Sequence, residues 1–271
     1  MTAFAGSTAL VTGASKGLGA AYAHELARRG ADLVLVARSA EALQRLADQL
    51  REAHGVRVEV IAADLADRDG PRHVDDELRR RGVDVDLLLN NAGAGSVGPF
   101  LDRPFDAQLA SVDLNVTGLM TLTHVLGGRM RAAGRGGIIN VSSTAAFQPM
   151  PYQAVYAATK AFVLSFSEAL AEELAGTGVR VMAVHPGAVA TGFFDGTTAT
   201  MPSAADSPEA VAARTLDDFE KGRHTSYPGR WFNRAQTWAA RPLPRRRVAA
   251  LTAWFNRKLG FDHVADAEPA R

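Results

Sequence analysis

The sequence predicts a single doubly wound α/β domain, a parallel sheet with helices on both faces. Three observations carry that expectation. Short apolar runs alternate with segments of helical period as far as His185, the pattern of strands joined by right-handed crossovers. A glycine-rich turn over residues 12–19, TGASKGLG, links the first run to the first helix. Short polar groups stand directly after several of the runs, at the strand ends where open parallel sheets bind ligands.

The first strand is expected over residues 7–11 and its helix over 18–29, stopped by Gly30. Residues 32–37, DLVLVA, read as a strand buried on both faces. A helix over 40–53 ends before Gly55. The third strand, 57–62, runs toward Asp64; a helix through 74–81 precedes Gly82, and a fourth strand spans 86–90. One long helix is expected over 105–133, after which Gly134, Gly136 and Gly137 turn the chain into a fifth strand over 138–142. A helix over 155–175 leads through Gly176 and Gly178 to a sixth strand, 179–185. There the regularity stops. Residues 186–208 are rich in Gly, Thr, Ala and Ser, with Pro202 and Pro208 as breakers, and an aperiodic stretch this long in a compact domain marks a functional segment or disorder. Helical pattern resumes over 209–221, and residues 225–227 fit a short edge strand.

A chain of 271 residues suffices for one large α/β core. It holds no cysteine, which excludes disulfides, thiolate metal sites and thiol catalysis. With no close histidine pair either, no metal site is expected. No signal peptide and no run of about 18 apolar residues is evident, so the expected location is the cytoplasm. The net charge of +1 conceals an asymmetry: residues 221–260 carry ten Lys or Arg and no Asp or Glu, together with all three tryptophans, Trp231, Trp238 and Trp254.

A buried strand entering a glycine turn and then a helix gathers free N–H groups and the positive end of a helix dipole at one point, which suits a pyrophosphate. Gly13 permits the tight turn, Gly17 lets phosphates approach the backbone, and Gly19 lets the helix pack on the strand. Arg38 follows the second strand, whose tip is Ala37 and not an acid. A guanidinium there, with Lys16 in the turn, favours a 2′-phosphate, and so NADP(H) over NAD(H). Asp64 and the run Asn90-Asn91-Ala92-Gly93 bring short polar groups to the sheet edge, although the same residue types also form turns for their own sake. Tyr156 and Lys160 lie four apart on a predicted helix and share one face, so that an ammonium beside a phenol would lower the phenol's pKa. Ser143 ends the fifth strand thirteen residues earlier, where its hydroxyl and that of Tyr156 can meet one substrate oxygen; Ser142 alternates to the other face. His185, before Pro186 and Gly187, reads as structural, and His24 as a surface residue.

Taken in order, TGASKGLG, Asp64, NNAG at 90–93, Asn115 in LNVTG, Ser143, YAATK at 156–160 and HPGAVAT at 185–191 resemble the short-chain dehydrogenase/reductase family over about residues 8–191. The resemblance implies a Rossmann-type catalytic domain, 1–220, with 221–271 a basic, Trp-rich extension packed on it. It implies Tyr156 as proton donor or acceptor, Ser143 as hydrogen-bond partner of the substrate oxygen, Lys160 on the nicotinamide ribose, and Asn115 as holder of a water that links Lys160 to solvent. For the cofactor it implies Gly13, Ser15, Lys16, Gly17, Leu18 and Gly19, then Arg38, Asp64, Leu65, Asn91, Ala92 and Gly93. Asn115, Tyr156, Lys160, Pro186, Gly187, Val189 and Thr191 complete that set. A homodimer or homotetramer through the helices at 105–133 and 155–175 is implied in the same way.

The substrate side is expected from residues 95–97, 144–152 and the segment after Thr191, where Phe147, Met150, Phe193 and Phe194 are apolar and Gln148 and Tyr152 offer polar handles. That composition suits a medium-sized lipophilic ketone or secondary alcohol; 3-oxoacyl and hydroxysteroid substrates stay open, as does a nucleotide-sensing protein without turnover. The basic segment 221–260 reads as a helical cover of the cleft, with Pro242 and Pro244 interrupting any long amphipathic helix, or else as a peripheral contact with an anionic membrane or acidic partner. Nucleic acid is not an expected partner, since no recognition motif accompanies the patch.

Overall fold

The computed structural model describes residues 4–195, 197–199, 205–239 and 242–264. Among the described residues, seven parallel strands form one sheet in the order β3-β2-β1-β4-β5-β6-β7. They are β1 (Thr8–Thr12), β2 (Asp32–Ala37), β3 (Val58–Ala62), β4 (Leu87–Asn90), β5 (Gly136–Val141), β6 (Val179–Val184) and β7 (Thr225–Ser226). The order reverses between β1 and β4, which opens a crevice at their C-terminal ends.

Alternation along the strands builds two cores. Ala9 and Val11 of β1 and Leu33 and Leu35 of β2 face α1 (Gly17–Arg28), α2 (Ala40–His54) and, further along the sheet, α7 (Pro208–Glu220). Leu10, Val34 and Val36 face the other way, into a core closed by α3 (Gly70–Arg81) and by the long helix after β4. Helix α3 starts four residues before the predicted 74, because Pro71 is tolerated in a first turn.

The helix expected over 105–133 is continuous but not uniform. It comprises α4 (Phe105–Val112), a π-helical turn (Asp113–Gly118) and α5 (Leu119–Ala133). The wider turn surrounds the buried Asn115, and at its end Gly118 passes so close to the Leu65 carbonyl that a Cβ would lie 2.3 Å from the oxygen. By length and composition this helix could cross a bilayer. In the fold, Leu122, Leu126 and Met130 are buried against the sheet.

Helix α6 (Ala154–Glu173) precedes β6. After β6 the chain at Val189 forms a parallel bridge with Asp206, through Ala190 N–H to the Asp206 carbonyl (2.9 Å) and Asp206 N–H to the Ala188 carbonyl (2.8 Å). The two ends of the aperiodic segment are therefore tied together. Two helices follow β7, α8 (Trp231–Ala239) and α9 (Arg245–Lys258), with Pro244 as N-cap of α9. Asn256 of α9 donates to the Pro151 carbonyl (2.8 Å), and Phe261 and Val264 beyond it join Val97 in a third apolar cluster. Residues 265–271 of the expected extension lie outside the described residues.

Candidate active site

The glycine turn is built by close approach. A Cβ on Gly19 would lie 2.1 Å from the Gly13 carbonyl oxygen, so only hydrogen fits where α1 leaves the turn. A Cβ on Gly17 (φ +57°) would press the Thr191 side chain at 3.2 Å, which brings the 186–191 stretch against the start of α1. Helix α1 has no side-chain cap and no acid in its first turn, whereas α2 and α7 are capped by Ser39 and Ser207 and carry Glu41 and Glu209 there. Its first N–H groups and dipole are thus left for an anion, and the residues present fit the pyrophosphate of a dinucleotide.

Thr12 fastens this turn to the end of β4. Its Oγ1 accepts from the backbone N–H of Asn91 (3.0 Å) and Ala92 (2.9 Å), while Asn91 Nδ2 donates to the Thr12 carbonyl (2.9 Å). Ala14 N–H reaches the Val36 carbonyl (3.3 Å), setting the turn beside the tip of β2, where Arg38 is exposed. Lys16 is paired with Asp195 at 3.2 Å in solvent. Asp64 spends one carboxylate oxygen on Ala66 N–H (3.0 Å), and Leu65 beside it is buried.

Ser143, Tyr156 and Lys160 come together at the end of β5. Ser143 Oγ accepts from Ala145 N–H (3.1 Å) at the head of the 3₁₀ turn Thr144–Phe147, with its hydroxyl near enough to the Tyr156 phenol to act on that group's pKa. Ser142 points away, as strand alternation requires, and donates to the Lys160 carbonyl (2.8 Å). Lys160 is buried; its ammonium donates to the Val141 carbonyl (2.8 Å) and lies 5.8 Å from the centre of the Tyr156 ring. Burial lowers its pKa to about 8. The sequence-based expectation of a lowered Tyr156 pKa is overturned: burial raises it, and the nearby Ser143 hydroxyl only opposes that rise.

Asn115 is fully buried on the π turn. Its Oδ1 accepts from Ala94 N–H (3.0 Å) and its Nδ2 donates to the Ala94 carbonyl (2.8 Å) and to Thr159 Oγ1 (2.9 Å). Gly93 passes between Asn115 and Lys160, where a Cβ would lie 3.3 Å from Asn115 Oδ1 and from Lys160 Nζ.

On the substrate side, Phe193 meets the Tyr156 ring edge-on (centroids 5.1 Å), and Gly95 lies against both: a Cβ there would stand 2.7 Å from Phe193 and 2.8 Å from Tyr156. The side chain of Phe194 lies outside the described residues. Phe147 stacks edge-on upon His185 (5.0 Å), which also meets Tyr227 (5.1 Å). His185 is fully buried, neither ring nitrogen has a hydrogen-bond partner among the described residues, and burial lowers its pKa to about 3. Beneath this stretch Asn233 of α8 packs on Gly187, where a Cβ would fall 2.6 Å from its Nδ2, and donates to the Asp206 carboxylate (3.0 Å). Helix α8 thereby braces both Gly187 and the bridge between Val189 and Asp206.

A family model, short chain dehydrogenase, matches residues 7–202. The chain belongs to the short-chain dehydrogenase/reductase family. It is 35% identical over 189 residues to the human 17-beta-hydroxysteroid dehydrogenase type 3, covering 69% of this chain and 60% of that protein. The chain thus spans about three fifths of the length of the first curated relatives it matches. Among solved structures it resembles a short-chain dehydrogenase from Sphingobium yanoikuyae in complex with NADPH (TM-score 0.78, 32% identity, 97% of this chain and 98% of that one). It also resembles a bulky-bulky ketone specific alcohol dehydrogenase from Comamonas testosteroni (TM-score 0.75, 33% identity, 88% and 95%).

Within this short-chain dehydrogenase, three site residues escape a reading of the sequence, whereas Gly95 lies where the substrate side was expected. Thr12 opens the glycine turn, so adjacency to a motif was the available signal. Thr159 is inside YAATK, but its partner Asn115 is 44 residues away. Asn233 lies in no motif and carries no local signal.

Proposed function

We propose that the protein is an NADP(H)-dependent oxidoreductase acting on a carbonyl or secondary alcohol, with a medium-sized lipophilic ketone as substrate, in the cytoplasm. The convergence of Ser143, Tyr156 and Lys160 beside an uncapped α1 carries this reading. The nicotinamide cofactor, when bound, supplies or accepts the hydride. Residues 13 and 15–19, Asp64, Leu65, Asn91–Gly93 and the stretch from Pro186 to Thr191 would hold it, with Arg38 on a 2′-phosphate.

Ser143 Oγ already accepts from Ala145 N–H, so its own proton is directed at the substrate oxygen and stabilises charge that grows there. Tyr156, kept protonated by burial, donates its proton to that oxygen in reduction and takes it back in oxidation. Lys160, fixed on the Val141 carbonyl, keeps a positive charge near the phenolate as it forms. Asn115 acts by holding Ala94, which sets the path of Gly93 past Lys160. The apolar rings of Phe193 and Phe147 favour a lipophilic substrate, in keeping with the ketone- and steroid-directed names of the relatives. On the long helix, Phe105, Leu109 and Met120 are exposed, and we read that face as the pairing surface of a homo-oligomer.

The test is NADPH consumption by the purified protein against carbonyls ranging from small aldehydes to bulky apolar ketones. Turnover greatest with the bulky ketones and dependent on Tyr156 is the expected result. Tight NADPH binding with no turnover on any of them would point to nucleotide sensing instead.

A further inference from the structure

Helices α8 and α9 are built inside out. A helix on a globular protein buries its apolar stripe and turns its polar residues to water. In α8 the buried positions are Asn233 and Thr237, while Trp231 is 82% exposed and Trp238, one heptad on, 55%. In α9, Val248 and Asn256 are buried, Asn256 on the Pro151 carbonyl, while Leu251, Trp254 and Phe255 are more than half exposed, with Leu259 beside them. Hydrogen bonds from Asn233 and Asn256 fasten their inner faces, with Val248 the buried apolar side chain of α9.

Charge follows the same surface. Arg230 and Arg234 flank Trp231, Arg245, Arg246 and Arg247 form the first turn of α9, and Arg257 and Lys258 its last; all seven are exposed. Lys258 lies over the Trp254 ring at 3.9 Å. No acid occurs from 221 to 260, and those that bracket the segment are engaged, Glu220 with Arg29 (3.0 Å) and Asp262 with His263 (3.4 Å). Both helices are seated by their inner faces on the loop that follows Ser143, α8 on the turn Thr144–Phe147 and α9 on Pro151.

We propose that the outer faces of α8 and α9 dock on an anionic phospholipid surface, with Trp231, Leu251, Trp254 and Phe255 entering the interface and the arginines meeting the headgroups. Tryptophan suits that zone because its ring is apolar and its N–H polar, and basic side chains add attraction to anionic lipid. The apolar residues are spread over two short helices and Leu243 in the turn between them, an arrangement suited to a soft, flat surface more than to the shaped groove of an acidic protein. Docking there holds the membrane-bound helices against the loop that follows Ser143 on the expected substrate side.

The experiment uses the full chain with large vesicles of phosphatidylcholine, with or without phosphatidylglycerol. Because every tryptophan lies in this segment, intrinsic fluorescence reports on the surface alone. Expected are sedimentation with the phosphatidylglycerol vesicles only, a blue shift of the emission, and release by salt. Arg245→Ala and Arg246→Ala should each weaken binding about fivefold. The double substitution Trp254→Ser and Phe255→Ser, on side chains that face away from the fold, should weaken it about tenfold or more with thermal stability unchanged. Absence of binding at low salt, or binding indifferent to these substitutions, overturns the proposal. So does an oligomer that the double substitution dissociates while vesicles bind no protein, which would assign the surface to a second copy. None of these readouts depends on turnover.

Discussion

The side-chain amide of Asn115 grips the backbone of Ala94 at both of its polar groups, accepting from the N–H at 3.0 Å and donating to the carbonyl at 2.8 Å. A π turn in the middle of a long helix is thereby joined to the strand-end loop that passes Lys160. Asn115→Leu leaves Ala94 N–H without its partner, while the Ala94 carbonyl keeps the Ser111 hydroxyl (2.8 Å), at a cost of about 1–3 kcal/mol for the group left unsatisfied. Expected are a lower unfolding midpoint and a turnover loss larger than the stability loss accounts for, measured by urea unfolding and steady-state kinetics. Parental kinetics in a destabilised variant would restrict Asn115 to a structural role.

Tyr156→Phe removes the proton donor and leaves the ring between Phe193 and Gly95 in place. Turnover should fall by about 10²–10⁴, the range of a positioned acid, while NADPH affinity measured by fluorescence stays within a small factor of the parent. Retained turnover would reject the assignment.

Lys160 has a pKa of about 8 in the fold and an ordinary value of 10.5 once unfolded. Between those values the unfolded chain holds the proton and the folded chain has lost it, so this group makes stability rise with pH across that window. Relative to Lys160→Met, the parent should gain about 3 kcal/mol from pH 7.5 to pH 10.5, by the arithmetic of pKa linkage. Activity should decline on the alkaline side with a midpoint near 8 if the charge on Lys160 is what Tyr156 requires. A pH-rate profile flat through that range would separate the lysine's charge from its function.

His185 is held to a pKa of about 3 against an ordinary 6.5. Below pH 6.5 the unfolded chain takes up a proton that the folded chain refuses, so stability contributed by this site is lost as pH falls toward 3. His185→Phe keeps an aromatic ring between Phe147 and Tyr227 and should be less acid-sensitive than the parent by about 3 kcal/mol at pH 4. Equal acid unfolding curves for the two proteins would contradict the burial.

Arg38→Asp places a carboxylate at the tip of β2. The ratio of kcat/KM for NADPH to that for NADH should fall by an order of magnitude or more, since a salt-bridging fork becomes a like charge beside the 2′-phosphate. An unmoved ratio would leave Lys16, now paired with Asp195, as the residue to change next.

Relations of short range were legible from the residues. Tyr156 and Lys160 share a helix face because helical spacing demands it, and Ser143 and Ser142 diverge because strand residues alternate. The electrostatics of the same residues were not legible. Proximity of Lys160 suggested a lowered Tyr156 pKa, yet burial, which depends on packing from the whole chain, raises it and depresses Lys160 as well.

By itself the sequence determined the α/β order, the strand-end placement of the polar groups and the concentration of cations and tryptophans after residue 220, since these rest on spacing and composition. Only the tertiary structure decided that Asn115 grips Ala94, that Asn233 braces Gly187 and Asp206, and that α8 and α9 bury asparagine and expose tryptophan. The reason is physical: which face of a helix is buried, and which carbonyl a buried amide finds, depend on contacts between residues far apart in the chain, and local spacing does not encode them.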